Sequence, residues 1–221
     1  MITSFDLDGV LIDSHPLMFL ALAEQGYMVV PEIDKYKIEF IEGQEPPSDF
    51  DWDLFYYKVF AERSHEIKGF EGCHKLLAVL SVKSNFGVIP VITNRPKGLL
   101  SHYVAESTLE RLYPKLDFSV SISQNDKHRY MFGSKIIFED RRRTAIDMAS
   151  HGHVVFLKET SYNRIKTCNF GTFGHYLDID DIISFDGNRI KPGTIINFRN
   201  YNELLDSRII DFLAGTCQEL L

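Results

Sequence analysis

The sequence predicts an α/β fold built on a doubly wound, Rossmann-like parallel sheet. Short apolar runs alternate with segments of helical periodicity along most of the chain, and this alternation indicates parallel βαβ units. The chain has 221 residues, of which 44% are hydrophobic and 25% are charged, a balance typical of a globular protein with a substantial core. One stretch, residues 15–68, breaks the alternation and predicts an insert.

Five apolar runs are predicted to be the strands of the sheet. They cover residues 2–7, 88–93, 118–122, 135–138 and 153–157. Helix-like segments separate them at 73–82, 97–112 and 144–151, and the last of these ends at Gly152, a good helix stop. Helical spacing at 201–213 predicts one more helix outside the sheet. Because ligands of such sheets bind beyond the carboxyl ends of the strands, polar residues at those ends are the candidates for function.

The insert at 15–68 follows the first predicted strand directly. It has helix-like runs at 17–25 and 52–66 around a middle, 42–53, that contains proline and acidic residues. It is longer than a typical crossover, so we expect a small, mainly helical cap over the carboxyl end of the first strand. The core is then 1–14 and 69–221. An elaborated first crossover helix is the alternative.

The first predicted strand ends in two acidic residues, in the segment FDLDGVLIDS (residues 5–14). Asp6 and Asp8 are two apart, so on an extended chain both side chains face the same way. Like charges this close repel unless a cation lies between them, and Mg²⁺ favours a site of one or two carboxylates, waters and phosphate oxygens. Gly9 permits a sharp exit from the strand. The pattern indicates a magnesium site, with a solvated turn as the alternative.

This segment resembles the first motif of the haloacid dehalogenase superfamily of phosphohydrolases. The other three motifs of that superfamily have matches in the expected order. Thr93 ends the strand VIPVIT, Lys127 precedes the fourth strand, and Glu139 and Asp140 follow KIIF. Lys135 is an alternative to Lys127, but it opens a strand at the wrong end for the site.

The resemblance implies a role for each matched residue. Asp6 is implied to be the nucleophile that forms an aspartyl-phosphate, and Asp8 the general acid and base, with its backbone carbonyl on Mg²⁺. Asp140 is implied to bind the metal directly and Glu139 through water. The implied metal ligands are Asp6, Asp8, Asp140 and Glu139. The implied substrate-binding residues are Thr93, Asn94, Arg95 and Lys127.

Within the superfamily, the chain is most similar to the 5′(3′)-deoxyribonucleotidases. Residues 67–72 (IKGFEG), 124–127 (QNDK) and 137–141 (IFEDR) carry this resemblance, with a weaker likeness at 161–164. The chain departs from the group with Thr-Asn-Arg-Pro at 93–96, where Thr-Ser is common, and with Glu-Asp-Arg-Arg at 139–142, where Asp-Asp-Arg-Pro is usual. The resemblance implies a nucleoside monophosphatase. The alternatives are a phosphatase of a sugar phosphate or other small metabolite, and a non-catalytic phosphate-binding or phospho-acceptor module.

Aromatic residues cluster in the predicted cap. They are Trp52, Phe55, Tyr56 and Tyr57. A nucleobase can stack on such rings, but aromatic side chains more often pack a small core of their own. We expect most of the four to pack the cap and one to face the ligand.

Charge and composition exclude several other classes of protein. The net charge of −7 argues against a nucleic-acid polymer as partner, and no apolar stretch approaches the ~20 residues that span a bilayer. Three distant cysteines, Cys73, Cys168 and Cys217, favour a reducing compartment. With no signal-peptide pattern at the start, we predict a cytoplasmic protein that acts on a small phosphorylated substrate, and a homodimer stays open.

Two histidines and a cysteine raise the question of a zinc site. His151, His153 and Cys168 do not have the spacing of a structural zinc site. We therefore expect unrelated loop and strand residues at these positions.

Overall fold

The computed structural model describes residues 3–29, 40–83, 87–96, 98–123, 126–131, 133–160, 175–180 and 190–215. Several residues used in the sequence analysis fall outside these ranges. They are Gln124, Asn125, Cys168, Cys217 and the segment 161–164.

A seven-stranded parallel sheet forms the centre of the molecule. Its order is β5-β4-β1-β6-β7-β9-β8, and each described pairing between neighbours is parallel. The strands are β1 (Thr3–Phe5), β4 (Ile89–Thr93), β5 (Phe118–Ile122), β6 (Ile136–Glu139), β7 (Val154–Lys158), β8 (His175–Asp178) and β9 (Thr194–Phe198). The doubly wound α/β fold predicted from the alternating pattern is confirmed.

Some strand predictions need correction. The strand predicted at 135–138 begins and ends one residue later, so Glu139 ends β6 instead of following it. Strands β8 and β9 were not predicted. Thr194–Phe198 is buried throughout and follows Pro192 and Gly193, so a short apolar run after a turn was the available signal.

Six α-helices lie among the described residues. They are α1 (His15–Glu24), α2 (Trp52–Tyr57), α3 (Cys73–Lys83), α4 (Leu99–Leu112), α5 (Arg142–Ser150) and α6 (Ser207–Ala214). The helix predicted at 201–213 is a 3₁₀ helix, Tyr201–Leu205, followed by α6, because the Asp206 side chain caps α6 by accepting from the Arg208 amide. The run predicted at 52–66 is also divided, into α2, a π-helical turn (Lys58–Glu62) and a 3₁₀ turn (Ser64–Glu66). None of the described helices is long and apolar enough to cross a membrane.

Strands β6 and β7 are buried on both faces, which explains why they are almost continuously apolar. Ile136 and Phe138 of β6 belong to the larger hydrophobic cluster with α3 and α6. Ile137, between them, belongs to a smaller cluster with Ala145 and Met148 of α5. Alternation along one strand thus supplies both cores.

A second, two-stranded sheet marks where the insert leaves and rejoins the core. Strand β2 (Ile12–Asp13) pairs antiparallel with β3 (Lys68–Gly69). Between them, Phe55, Val59 and Phe60 join the larger core cluster. The division into core and cap at 15–68 stays a prediction.

The aromatic residues of the insert contact one another. Trp52 lies 5.8 Å from Phe55 and 6.1 Å from Tyr56, measured between ring centroids, and Phe50 lies 4.9 Å from Trp52. Phe55 is buried, whereas Tyr57 is exposed. Most of these rings therefore pack the insert.

Candidate active site

The predicted site residues lie together at the topological switch point of the sheet, where the strand order reverses. Strand β1 is central, with β4 on one side and β6 on the other. Asp6 follows β1, Thr93 ends β4 and Glu139 ends β6, and the Asp6 amide donates to the carbonyl oxygen of Phe138 at 2.9 Å. Because these strands are parallel, their carboxyl ends meet at one edge, the usual ligand position in such sheets.

Lys127 joins two of the acids at this edge. Its Nζ lies 2.6 Å from Asp6 Oδ2 and 2.8 Å from Glu139 Oε2, and its side chain is only 1% exposed. The other oxygen of each acid accepts from backbone amides. Leu7 donates to Asp6 Oδ1 at 2.7 Å, and Arg141 donates to Glu139 Oε1 at 2.9 Å. Both carboxyl groups are thus fixed in orientation.

The acids of this site, Asp6, Glu139 and Asp140, outnumber the ammonium group of Lys127. Burial alone would lower the pKa of Lys127, but Asp6 and Glu139 outweigh burial and raise it. Burial, with repulsion from Asp6 and Asp140, raises the pKa of Glu139 well above its usual value, although Lys127 opposes the shift. Three buried acids face one ammonium group, an arrangement that a bound cation would stabilise.

The donor set at this position fits a magnesium ion. One carboxylate oxygen from each of Asp6, Glu139 and Asp140 lies within 4.8 Å of the others, and hard oxygen ligands are those that Mg²⁺ takes. Gly9 lies against the same group, since a Cβ at this position would be 2.2 Å from Asp140 Oδ2. The Asp8 side chain is outside the donor set, and the role of its backbone carbonyl as a ligand stays a prediction.

Replacing Gly9 with alanine is expected to cost about 1–3 kcal/mol of stability because its φ is +77°. The new methyl group would also displace Asp140, so turnover should fall on the order of 10²-fold. Gly26→Ala is the matched control, since Gly26 has φ +86° and a Cβ there meets no described atom within 4 Å. Urea unfolding and phosphatase assays measure both effects. Equal turnover in Gly9→Ala and Gly26→Ala would show that the close contact between Gly9 and Asp140 has no role in activity.

Asp8 is held by an arginine from the loop after β4. Arg95 Nε lies 2.9 Å from Asp8 Oδ2, and its Nη2 donates to Oδ1 at 2.9 Å. Ser14 Oγ also donates to Oδ1, at 2.8 Å. Burial would raise the pKa of Asp8, but Arg95 and Ser14 outweigh it and lower the pKa. Asp8 is therefore a carboxylate in this arrangement.

Arg95 was predicted to bind substrate, and the structure places it on Asp8. Its side chain is 5% exposed, and its guanidinium carbon lies 4.2 Å from the centroid of the Phe60 ring in the insert. Its Nη1 is buried and has no hydrogen-bond partner among the described residues. The group thus links the insert to the site and keeps one donor unused.

The remaining two predicted residues, Thr93 and Asn94, are held by a serine that follows β5. Thr93 is buried, and its carbonyl oxygen accepts from the Ser123 amide at 2.8 Å. The Ser123 hydroxyl donates to Asn94 Oδ1. This contact fixes the end of β4, which lies beside β1 in the sheet.

Sequence reasoning missed three residues near the site. Ser14 contacts Asp8, and Phe60 contacts Arg95, as described above. Lys158 ends β7, and its Nζ lies 3.9 Å from the centroid of the Phe70 ring. Burial lowers the pKa of Lys158 despite the attraction of Asp13 and Asp140. Its position at the carboxyl end of a strand was the one sequence signal available.

The chain resembles known proteins in its structure. No family model and no curated protein matches the sequence. A haloacid dehalogenase-like family hydrolase from Xanthomonas campestris is similar over 98% of each chain, with a TM-score of 0.52 and 11% identity. A HAD family hydrolase from Deinococcus radiodurans R1, with bound phosphate and sodium, is similar over 98% of this chain and 97% of its own, with a TM-score of 0.50 and 15% identity. The chain has the fold of the haloacid dehalogenase-family hydrolases.

A third solved structure with this fold covers less of the chain. It is CbbY from Rhodobacter sphaeroides in complex with xylulose-1,5-bisphosphate, similar over 78% of this chain and 92% of its own, with a TM-score of 0.50 and 14% identity. These likenesses agree with the fold that the resemblance of the four motifs implies. The deoxyribonucleotidase group is not among the neighbours described above.

Proposed function

We propose that the protein is a Mg²⁺-dependent phosphomonoester hydrolase that acts through an aspartyl-phosphate on Asp6. One observation carries the proposal. Asp6, 4% exposed, lies at the switch point of the sheet with Lys127 2.6 Å from its Oδ2 and with Glu139 and Asp140 in one group of donors. A carboxylate nucleophile beside fixed positive charge is what phosphoryl transfer needs.

Each step of the reaction has a residue to perform it. An oxygen of Asp6 attacks phosphorus, the ester P–O bond breaks, and the leaving oxygen takes a proton from Asp8. Water then attacks the phosphorus of the aspartyl-phosphate, Asp8 accepts the water proton, and the bond between Asp6 and phosphorus breaks to release phosphate and regenerate the carboxylate. Lys127 holds Asp6 in place and offsets charge on the phosphoryl oxygens. Asp6, Glu139 and Asp140 would hold Mg²⁺, which when bound would neutralise charge on the phosphate.

The pairing of Asp8 with Arg95 suits the second step better than the first. An ionised Asp8 can accept the proton of water, but it has none to donate. Donation to the leaving group therefore requires Asp8 to take up a proton from solvent, and this becomes favourable when Arg95 exchanges Asp8 for another anion. A substrate phosphate oxygen is the natural partner, because Arg95 Nη1 is buried and has no partner among the described residues. This exchange is the role proposed for Arg95 in substrate binding.

A nucleoside monophosphate is the proposed substrate. The rings of Tyr56 and Phe60 are stacked, with centroids 5.9 Å apart and planes at 8°, and the negative charge of Asp8 raises the pKa of Tyr56 in addition to burial. Since Phe60 packs on Arg95 and Arg95 binds Asp8, Tyr56 lies close enough to the reacting groups for a base to stack on it. A sugar phosphate is the second candidate, favoured by the sugar bisphosphate in the Rhodobacter sphaeroides neighbour.

The first test is hydrolysis of an aryl phosphate by the purified chain with Mg²⁺ and with a chelator. We expect turnover with Mg²⁺ and, after chelation, loss of turnover that added Mg²⁺ restores. Equal rates in both conditions would contradict the metal role of Asp140. Phosphorylation of one aspartate per chain without turnover would instead favour a phospho-acceptor module.

The substrate class needs a separate screen. Deoxynucleoside monophosphates and sugar phosphates would be compared by kcat/KM, with Tyr56→Leu as the variant and Tyr57→Leu, at an exposed neighbour, as its control. The nucleotide proposal predicts that deoxynucleotides are preferred and that only Tyr56→Leu reduces the preference. Faster turnover of sugar phosphates than of all deoxynucleotides would refute it and leave the phosphatase proposal intact.

A further inference from the structure

A group of histidines and an aspartate lies apart from the reacting residues. His128 is in the 3₁₀ helix Lys127–Tyr130, Asp147 is in α5, and His151 directly follows α5. One possible ligand atom from each residue lies within 4.8 Å of the others. None of the three contributes to the donor set of Asp6, Glu139 and Asp140.

The position of His151 prepares one ring nitrogen for a ligand. Its Nδ1 lies 2.8 Å from the backbone oxygen of Asp147. A carbonyl oxygen only accepts, so Nδ1 carries the hydrogen and Nε2 has the free lone pair. Metal-binding histidines are commonly oriented by such a bond from their second nitrogen.

His128 adds an unsatisfied nitrogen to the group. Its Nδ1 is buried and has no hydrogen-bond partner among the described residues. A buried polar atom without a partner is unfavourable, and a bound ion would remove that cost. The His128 and His151 rings are stacked, with centroids 3.9 Å apart and planes at 8°, so both are already side by side.

The third residue of the group is an acid, Asp147, whose side chain is half exposed. The Asp147 carboxylate supplies the negative charge that a dication needs.

We propose that His128, Asp147 and His151 form a second metal site, selective for a divalent transition metal of the Zn²⁺ type. Two imidazole nitrogens and one carboxylate suit Zn²⁺, whereas Mg²⁺ prefers oxygen ligands. Three protein ligands leave a fourth position for water or a ligand. Parallel rings cannot both point a lone pair at one ion, so loading turns at least one ring about its Cβ–Cγ bond.

In the sequence, His151 suggests a zinc ligand only together with His153 and Cys168, which are not ligands of the proposed site. His151 was considered with His153 and Cys168 and set aside on spacing, and Cys168 lies outside the described residues. The partner that local spacing could show is Asp147, four residues earlier and on the same face of the helix. His128 comes from a different element and is brought in only by the packing of its 3₁₀ helix on α5.

The test is Zn²⁺ titration of the full chain by calorimetry with Mg²⁺ in excess, so that the acids at β1 and β6 are occupied. We expect one equivalent of Zn²⁺ to bind. His151→Ala and Asp147→Asn should each weaken binding on the order of 10–100-fold or more. His65→Ala is the matched control, since His65 is 73% exposed and lies 3.9 Å from Glu66.

Three readouts decide between the outcomes. Co²⁺ in place of Zn²⁺ should give visible absorption that is lost in both ligand variants and kept in His65→Ala and Asp140→Asn. Circular dichroism and Mg²⁺-dependent turnover should match wild type in the ligand variants. Absence of Zn²⁺ binding, binding that survives both substitutions, or binding lost in Asp140→Asn would overturn the proposal. Asp147 is 47% exposed, so Asp147→Asn provides a test even if His151→Ala fails to fold.

Discussion

Replacing Asp6 with asparagine is expected to lower turnover on the order of 10⁴-fold or more. The amide keeps the shape of the side chain but has no charged oxygen to attack phosphorus. Its oxygen can still accept from the Leu7 amide or from Lys127, whose Nζ lies 2.6 Å from Asp6 Oδ2. The substitution should therefore leave the fold intact and remove the chemistry. Aryl phosphate release with Mg²⁺, together with circular dichroism, measures the two effects separately.

Asp126→Asn is the matched control, because Asp126 is half exposed and directly precedes Lys127. It should keep full turnover. Wild-type protein quenched in acid during turnover should carry one phosphoryl group on Asp6, located by peptide mass spectrometry. Substantial turnover by Asp6→Asn, or a phosphoryl group on another residue, would remove Asp6 as the nucleophile.

The central part of the fold was predictable because it is encoded locally. Each of the first five sheet strands is a short apolar run, and the parallel order follows from the helices between them. The residues at β1, β4 and β6 were grouped by their resemblance to the superfamily motifs, and the parallel strands agree with that grouping because their carboxyl ends share one edge. Asp6, Thr93 and Glu139 needed no knowledge of loop structure.

The parts that were missed depend on contacts between distant segments. The pairing of Arg95 with Asp8 was not predicted: Asp8 accepts from Nε and Nη2, which form one edge of the guanidinium group. Phe60 reaches Arg95 from the insert, and no periodicity predicts that meeting. The group of His128 and His151 depends equally on packing, since 22 residues separate two positions that the fold stacks.

Lys127→Met is expected to destabilise the chain by about 3–5 kcal/mol when no divalent metal is present. The ammonium group is buried between Asp6 and Glu139, with Asp140 in the same donor set. Methionine keeps the volume and removes the positive charge that lies between Asp6 and Glu139. Turnover should also fall on the order of 10²–10³-fold, because one fixed charge on the phosphoryl oxygens is lost. Urea unfolding in chelator and aryl phosphate assays measure these effects.

Two conditions should reduce the loss of stability in Lys127→Met, because each reduces the repulsion between the buried acids. Mg²⁺ binds the folded acids in preference to the unfolded chain, so its addition should recover part of the loss. The pKa of Glu139 is already raised by burial and by its neighbouring acids, so the folded state binds protons that the unfolded chain releases. The variant should therefore be closest to wild type at low pH and lose stability as the pH rises from the usual pKa of a glutamate through the raised pKa of Glu139. Lys135→Met, at an exposed position, should show neither dependence. If Lys127→Met were as stable as wild type in chelator at pH 8, the acids would not need the ammonium group, and the electrostatic account of this site would fail.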